Sequence, residues 1–335
     1  MTPTLFGQTP DGEDVHRVTI SDGNLTASVL SWAALLQDLR LDGHDQPLVL
    51  GYDNLHDYLN HSPNFGATAG RFANRIGNAQ FSIDGTTYHT DPNFLGKHTL
   101  HGGAEGIGKR VWQIEELSKN SVVLLLNDPD GKMGFPGNAI HRCTYTLNEG
   151  GVLRIEFQST CDAPTPINLT HHSYFTLDGA DDCLKTELQI EADTYLPVSD
   201  ELIPHGAPEQ VADTPFDFRN FKPIGRDLGE NIFYDHNWCV SDKRTSLRKV
   251  AEARSTQSGI AMSVVTTEPG LQFYAGHYMN TPVAGLTGKP YGPCAGFALE
   301  AQIWPDAPNQ PDYPNAILRP GETSNQITEY AFARL

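Results

Sequence analysis

Two short runs of this chain hold residue types that can move a proton between them. Ile167-Asn168-Leu169-Thr170-His171-His172-Ser173-Tyr174-Phe175-Thr176-Leu177 mixes polar and apolar residues in a β-type run around a pair of histidines. On a strand, successive side chains face opposite ways. Asn168, Thr170, His172 and Tyr174 then share one face, and Leu169, His171, Ser173 and Phe175 the other, so the two histidines cannot serve one site. Far downstream, Phe297-Ala298-Leu299-Glu300-Ala301-Gln302-Ile303-Trp304-Pro305-Asp306 places a lone carboxylate in an apolar run. Such a carboxylate is either a solvated edge-strand residue or a buried functional one, and burial would raise its pKa toward the range useful for a base. A strand histidine by itself is more often a hydrogen-bonded core or surface residue than a catalytic one. A histidine and a carboxylate delivered from two separate strands are nevertheless what a metal-free proton-transfer site needs.

Further blocks surround these runs. They are Gly70-Arg71-Phe72-Ala73-Asn74-Arg75-Ile76, Leu100-His101-Gly102-Gly103, Asp130-Gly131-Lys132-Met133-Gly134-Phe135-Pro136-Gly137, Tyr234-Asp235-His236, Thr267-Glu268-Pro269-Gly270-Leu271-Gln272-Phe273-Tyr274 and Arg319-Pro320-Gly321-Glu322. Taken singly, an Arg, Asp or Gln in a loop is usually a surface residue. Together, and in this order, the blocks resemble the aldose 1-epimerases (galactose mutarotases). The histidine run is similar to that family's Asn-x-Thr-Asn-His-x-Tyr-Phe-Asn-Leu signature, with His171 in place of the first inner Asn and Thr176 in place of the last. The carboxylate run is similar to the family's Leu-Glu-x-Gln-x-Trp-Pro-Asp pattern. The resemblance implies Glu300 as base and His172 as acid, with Asn74, Arg75, His101, Asp235 and Gln272 holding the hydroxyls of a small-molecule sugar. It implies interconversion of α and β anomers of free aldoses such as glucose and galactose, with no metal and no organic cofactor. Two other readings stay in view. A hexose-6-phosphate 1-epimerase on the same fold would need a cationic cluster, and a non-catalytic carbohydrate-binding sandwich would need aromatic platforms without a paired acid and base.

Composition narrows the classes further. Lys and Arg total 23 against 41 Asp and Glu, a formal charge of -18, which repels phosphate backbones and anionic lipid. Neither a nucleic acid nor a membrane is expected as a partner, and a monomer or homodimer fits equally well. The five cysteines are widely spaced with no Cys-x-x-Cys pair, which excludes a zinc ribbon or a redox motif. The first twenty residues hold one Lys or Arg, Arg17, and no long apolar core, unlike a signal peptide. A cytoplasmic location is expected.

The elements that must position the site read as strands. Six Asp-Gly pairs mark tight turns, and Phe81-Ser82-Ile83-Asp84-Gly85-Thr86-Thr87-Tyr88 predicts a hairpin. Alternation predicts strands over 140–147, 152–159 and 184–192. Val122-Val123-Leu124-Leu125-Leu126 reads as a strand buried on both faces. Ala27 to Leu41 has helical composition, but its flanks and the family resemblance favour two short strands. A short helix is expected after Asp53, through Leu55 and Tyr58, capped by Asp53 or Asn54. The expected fold is all-β, a large β-sandwich of the galactose mutarotase-like supersandwich kind with few short helices, as one domain over 1–335. Two motifs are set aside. Gly103 to Lys109 has the spacing of a phosphate-binding loop, but Arg110 stands where a Ser or Thr would hold magnesium, so a turn beside His101 is expected. Pro305, Pro308, Pro311 and Pro314 recur at every third residue, and a rigid surface loop is expected there.

Overall fold

Antiparallel pairing dominates the chain, and it builds two large sheets whose inner faces share one apolar core. The structure is a computed structural model and describes residues 2–62, 64–230 and 232–335. The larger sheet has nine strands, centred on Ala139–Asn148, Val152–Cys161 and Ser324–Arg334. A six-stranded sheet runs in the order Tyr174–Phe175, Phe297–Gln302, Gly270–Tyr274, Asp235–Cys239, Thr194–Tyr195 and Glu209–Gln210. Four N-terminal strands, from Thr4–Gln8 to Leu35–Leu41, form a third sheet. Among the described residues Leu55–His61 is the one α-helix, and no helix is long and apolar enough to cross a membrane.

Alternation explains how one strand serves both core and site. Phe297, Leu299 and Ala301 join the main core cluster, while Ala298, Glu300 and Gln302 take the other face. The larger sheet closes the core side: the Tyr330 hydroxyl donates to the Leu299 carbonyl at 2.9 Å, and the Tyr330 and Phe175 rings lie 4.7 Å apart. Each such fully buried aromatic or aliphatic side chain contributes about 1.5–3 kcal/mol. Pairing within the six-stranded sheet then fixes the other face, aligning Asn237 with Gln272 and Gln272 with Glu300.

Most of the expected elements are found. Leu25–Leu30 and Leu35–Leu41 are the two strands read into the helix-like stretch. Asn54 caps the helix by accepting from the Asp57 amide at 2.9 Å. The hairpin pairs Gln80–Ile83 with Thr86–His89, and its turn holds Asp84 and Gly85 at φ 51° and 81°, the combination that two-residue hairpins favour. The strand expected over 184–192 is confined to Glu187–Ile190.

Two expectations need correction. In the strand Ser121–Asp128, Val122, Leu124 and Leu126 are buried whereas Val123 and Leu125 are only half-buried. This sheet has one core face and one partly wet face, so an unbroken apolar run did not mean burial on both. The proline-spaced segment is also not wholly a surface loop. Asp306 is 3 % exposed, and its carboxylate accepts from the Gly77 amide at 2.8 Å, tying the loop to the segment that holds Arg75.

Candidate active site

Seven residues from six separate stretches of chain converge on the outer face of the six-stranded sheet. Glu300, 2 % exposed, rises from the strand Phe297–Gln302, and His172, 5 % exposed, from Thr170–His172. The His172 Nε2 lies 3.7 Å from Glu300 Oε1, and Glu300 Oε2 has no hydrogen-bond partner among the described residues. Gln272 sits directly across from Glu300 and donates from Nε2 to Asp235 Oδ1 at 2.6 Å. Arg75 donates from Nη2 to the other Asp235 oxygen at 3.2 Å, and its guanidinium lies 4.7 Å from the centre of the Phe94 ring. Asn74 Oδ1 accepts from the Arg75 amide at 2.9 Å. The Asn74 amide in turn donates to His101 Nδ1 at 3.2 Å. The His101 ring stands edge-on to His172 with centroids 5.2 Å apart. Every residue expected from the sequence is therefore in one constellation.

Local backbone geometry explains why loops can hold these groups still. Asn74 and His101 adopt φ 61° and 51°, a left-handed conformation that Asn tolerates and most residues avoid. Gly102 follows at φ 82°, and a Cβ there would lie 2.1 Å from the Gly70 carbonyl oxygen, so only glycine lets the two loops touch. Beneath them Arg71, 1 % exposed, donates to Asp128 at 2.7 Å and to the carbonyls of Pro136 and Gly137 at 2.9 Å each. Asp128 also accepts from Arg110 at 2.7 Å. One buried carboxylate thus pins both the Asn74–Arg75 segment and the far end of the His101 loop. The phosphate-loop look-alike ends in the short turn Ile107–Lys109 beside that loop.

Burial shapes the charges. Removal from water pushes the Glu300 carboxyl well above the usual carboxylate range, Asp235 adding to the effect and Arg75 opposing it. The same desolvation lowers His172 to about 4. For Asp235 burial alone would raise the carboxyl, but Arg75 and the Gln272 amide outweigh it and the net shift is downward. His101 is pushed well below the usual histidine range by burial, with His172 and Arg75 adding to it.

His101, His172 and Glu300 have ligand atoms within 4.8 Å of one another, a spacing that a metal ion could bridge. The hydrogen bonding of His101 argues against that use. Its Nδ1 accepts a backbone N–H, so the neutral ring carries its proton on Nε2 and presents a donor, not a lone pair, to the cleft. A metal-bound histidine shows the reverse arrangement, donating its second ring N–H outward. The neutral His101 ring therefore has an N–H left to give on Nε2.

His171 takes the core face, as alternation predicts. It is 3 % exposed, its Nδ1 lies 3.4 Å from the Tyr145 hydroxyl, and burial, then His172, lowers its pKa to about 3. Below the usual histidine value of about 6.5, the unfolded chain takes up a proton here that the folded chain refuses. The stability contribution is therefore intact above that value and lost as pH falls toward 3. At pH 5 the loss from this one group is about 2 kcal/mol. In His171→Asn, urea unfolding at pH 7.5 and pH 5 should differ by about that much less than in the parent; an unchanged difference would place His171 in contact with solvent.

Sequence reasoning put Tyr174 on the face of His172 but gave neither it nor Tyr274 a place in the site. The Tyr174 ring lies 5.1 Å from His172 and 5.9 Å from Tyr274; their places in strands facing the cleft were the available signal. It also missed Arg71 and Asp128, whose partners lie 57 residues apart.

Comparisons with known proteins identify the family. The family model described as aldose 1-epimerase matches residues 16–331. The galactose mutarotase of Rattus norvegicus is 38% identical over 341 residues, covering 99% of this chain and 98% of that protein. The aldose 1-epimerase of Escherichia coli K12 is 37% identical over 345 residues, with the same coverage of 99% and 98%. Among solved structures, an aldose epimerase homologue from C. elegans superposes with a TM-score of 0.90 at 34% identity, covering 96% of this chain and 99% of its own. A galactose 1-epimerase from Lactobacillus acidophilus gives 0.85 at 26% identity, with 99% and 98% covered. By the length and strength of these matches, the chain belongs to the aldose 1-epimerase family.

Proposed function

We propose that the protein interconverts the α and β anomers of free aldoses such as glucose and galactose, with Glu300 and His172 as the proton-transfer pair. The observation that carries this reading is the buried carboxylate facing a buried imidazole at 3.7 Å, beside a ring of groups suited to sugar hydroxyls. Mutarotation removes a proton from the anomeric hydroxyl and delivers one to the ring oxygen. The ring opens to the aldehyde, the bond beside the carbonyl rotates, and the ring closes on the other face. In ring opening Glu300 takes the anomeric proton and His172 protonates the ring oxygen; on closure the roles reverse. Burial strengthens both partners in those roles. A raised pKa makes the Glu300 carboxylate a stronger base, and a lowered one makes the His172 imidazolium a stronger acid toward a feebly basic ether oxygen. Each proton transfer contributes roughly 10²–10⁴-fold.

Asn74, Arg75, His101, Asp235 and Gln272 hold the remaining hydroxyls so that the open-chain aldehyde rotates without leaving. Arg75 is already paired with Asp235, which makes it a poor partner for a sugar phosphate. The five free thiols suit the reducing cytoplasm, where we place the protein. Polarimetry of freshly dissolved α-D-glucose and α-D-galactose tests the reading: the optical rotation should reach equilibrium faster with protein, and equally fast after dialysis against a chelator. No acceleration on either sugar would overturn it.

The binding roles have their own test. Arg75→Ala and Asp235→Ala each remove a charged partner from the cleft, and bonds of that kind are worth about 1.5–3 kcal/mol. kcat/KM should fall roughly tenfold or more in each, with a rise in KM as a major part of the defect. Unchanged kinetics in both would move the binding face elsewhere.

A further inference from the structure

Beside Asp235, at the rim of the cleft, one histidine has no role in the chemistry above. His277 lies in the tight turn that follows the strand Gly270–Tyr274. The turn is firmly held: the Ala275 amide donates to the Tyr234 carbonyl at 3.0 Å, and the Gly276 carbonyl accepts from Met279 at 3.0 Å and Cys294 at 2.9 Å. The Tyr278 amide donates to the Tyr274 hydroxyl at 3.2 Å. Three aromatic rings enclose the imidazole, with centroids at 4.0 Å for Tyr278, 5.2 Å for Tyr274 and 5.3 Å for Phe233. Yet both ring nitrogens are buried and have no hydrogen-bond partner among the described residues.

An imidazole in an aromatic box is an odd choice if packing is its only task. A phenyl ring would fill the same space without placing a donor and an acceptor where no protein group meets them. What the position offers is its neighbourhood. Tyr274 pairs directly with Asp235 across the sheet, so the box stands over the Asp235 end of the cleft. Asp235 lies two residues along its strand from Asn237, the partner of Gln272 in the row that ends at Glu300. Two residues of strand are about 7 Å and two strand spacings about 10 Å, so Asp235 and Glu300 stand far enough apart for their side chains to reach opposite sides of one pyranose. Burial lowers the His277 pKa, with the charge of Asp235 opposing it, which keeps the ring neutral with one donor and one acceptor, the pair that a hydroxyl group satisfies.

We propose that His277 is a specificity-determining residue that, together with Asp235, binds a sugar hydroxyl across the ring from the anomeric centre. The assignment rests on the aldose reading of the site. Its test is His277→Phe, which keeps the aromatic box and removes only the nitrogens. With D-glucose and D-galactose, KM and the calorimetric Kd should rise roughly three- to tenfold, as for loss of a neutral hydrogen bond, while kcat stays within twofold. His277→Asn should recover part of the loss. With 3-deoxy- and 4-deoxy-glucose in turn, the penalty should vanish for the one lacking the hydroxyl that His277 meets. An unchanged Kd in a His277→Phe protein of normal melting temperature, or the same penalty for both deoxy sugars, would overturn the assignment and leave mutarotation intact. Sugar binding without catalysis by the parent protein, weakened in the variant, would instead refute the catalytic reading and keep His277 in place. Absence of any sugar binding would refute both.

Discussion

Glu300→Gln should lower kcat for mutarotation by roughly 10²–10⁴-fold while leaving KM within a small factor. The amide keeps the shape of the side chain and can still hydrogen-bond the anomeric hydroxyl, but it cannot take a proton at neutral pH. Folding should not suffer. The Glu300 carboxyl is held above its usual range by burial, so in the folded protein its ionised form is disfavoured, and that penalty grows as pH rises above the unfolded value. Removing it should leave the melting temperature at neutral pH equal or higher, which separates lost chemistry from lost structure. The pH profile adds a second readout. The productive pair carries one proton, so kcat/KM of the parent should fall in acid as His172 takes up a second, near its value of about 4. In alkali it should fall as the pair loses the proton it has, because the acid form of His172 is then lost. Polarimetric turnover close to the parent's would reject the two-residue mechanism.

Much of this arrangement was legible because strand periodicity is a local property. Alternation assigned His172 and His171 to opposite faces, and the structure puts one beside Glu300 and the other against Tyr145. The two strands within 27–41 were legible only with help. Leu, Ala and Gln there favour a helix by propensity, and pairing of Leu25–Leu30 with Leu35–Leu41 overrides it. The seven site residues were named through family resemblance, not from physical pattern, because what joins them is long-range. The Arg75–Asp235 contact spans 160 residues and the Asn168–Ile303 contact 135, and no local signal encodes either. For the same reason the Asp128 anchor went unseen, and so did the burial of Asp306. Single polar residues in loops look alike in sequence whether they face water or a backbone amide. His277 belongs to no motif at all, and only the aromatic box around it sets it apart.

His172→Ala should reduce the mutarotation rate by roughly two or more orders of magnitude, and His171→Asn should retain most of it. The contrast matters more than either number. Both histidines are buried, both have depressed pKa values, and they are adjacent in sequence, so titration behaviour alone would not say which one acts. Geometry does. His172 faces Glu300, with the His101 ring 5.2 Å away, whereas His171 lies between Tyr145 and Tyr330 on the core side, where no sugar can reach. An alanine at 172 removes the group assigned to protonate the ring oxygen, and it also leaves Glu300 in a larger cleft without its partner. His172→Gln separates these effects: it fills the space and can donate a hydrogen bond, but it has no ionisable proton to give. If loss of the acid is the cause, His172→Gln should be nearly as slow as His172→Ala while binding sugar more tightly. If His172→Gln instead turned over at the parental rate, His172 would be a hydrogen-bonding residue and the acid would have to be sought elsewhere in the cleft. A His171→Asn protein as slow as His172→Ala would mean that the strand presents its other face to the substrate.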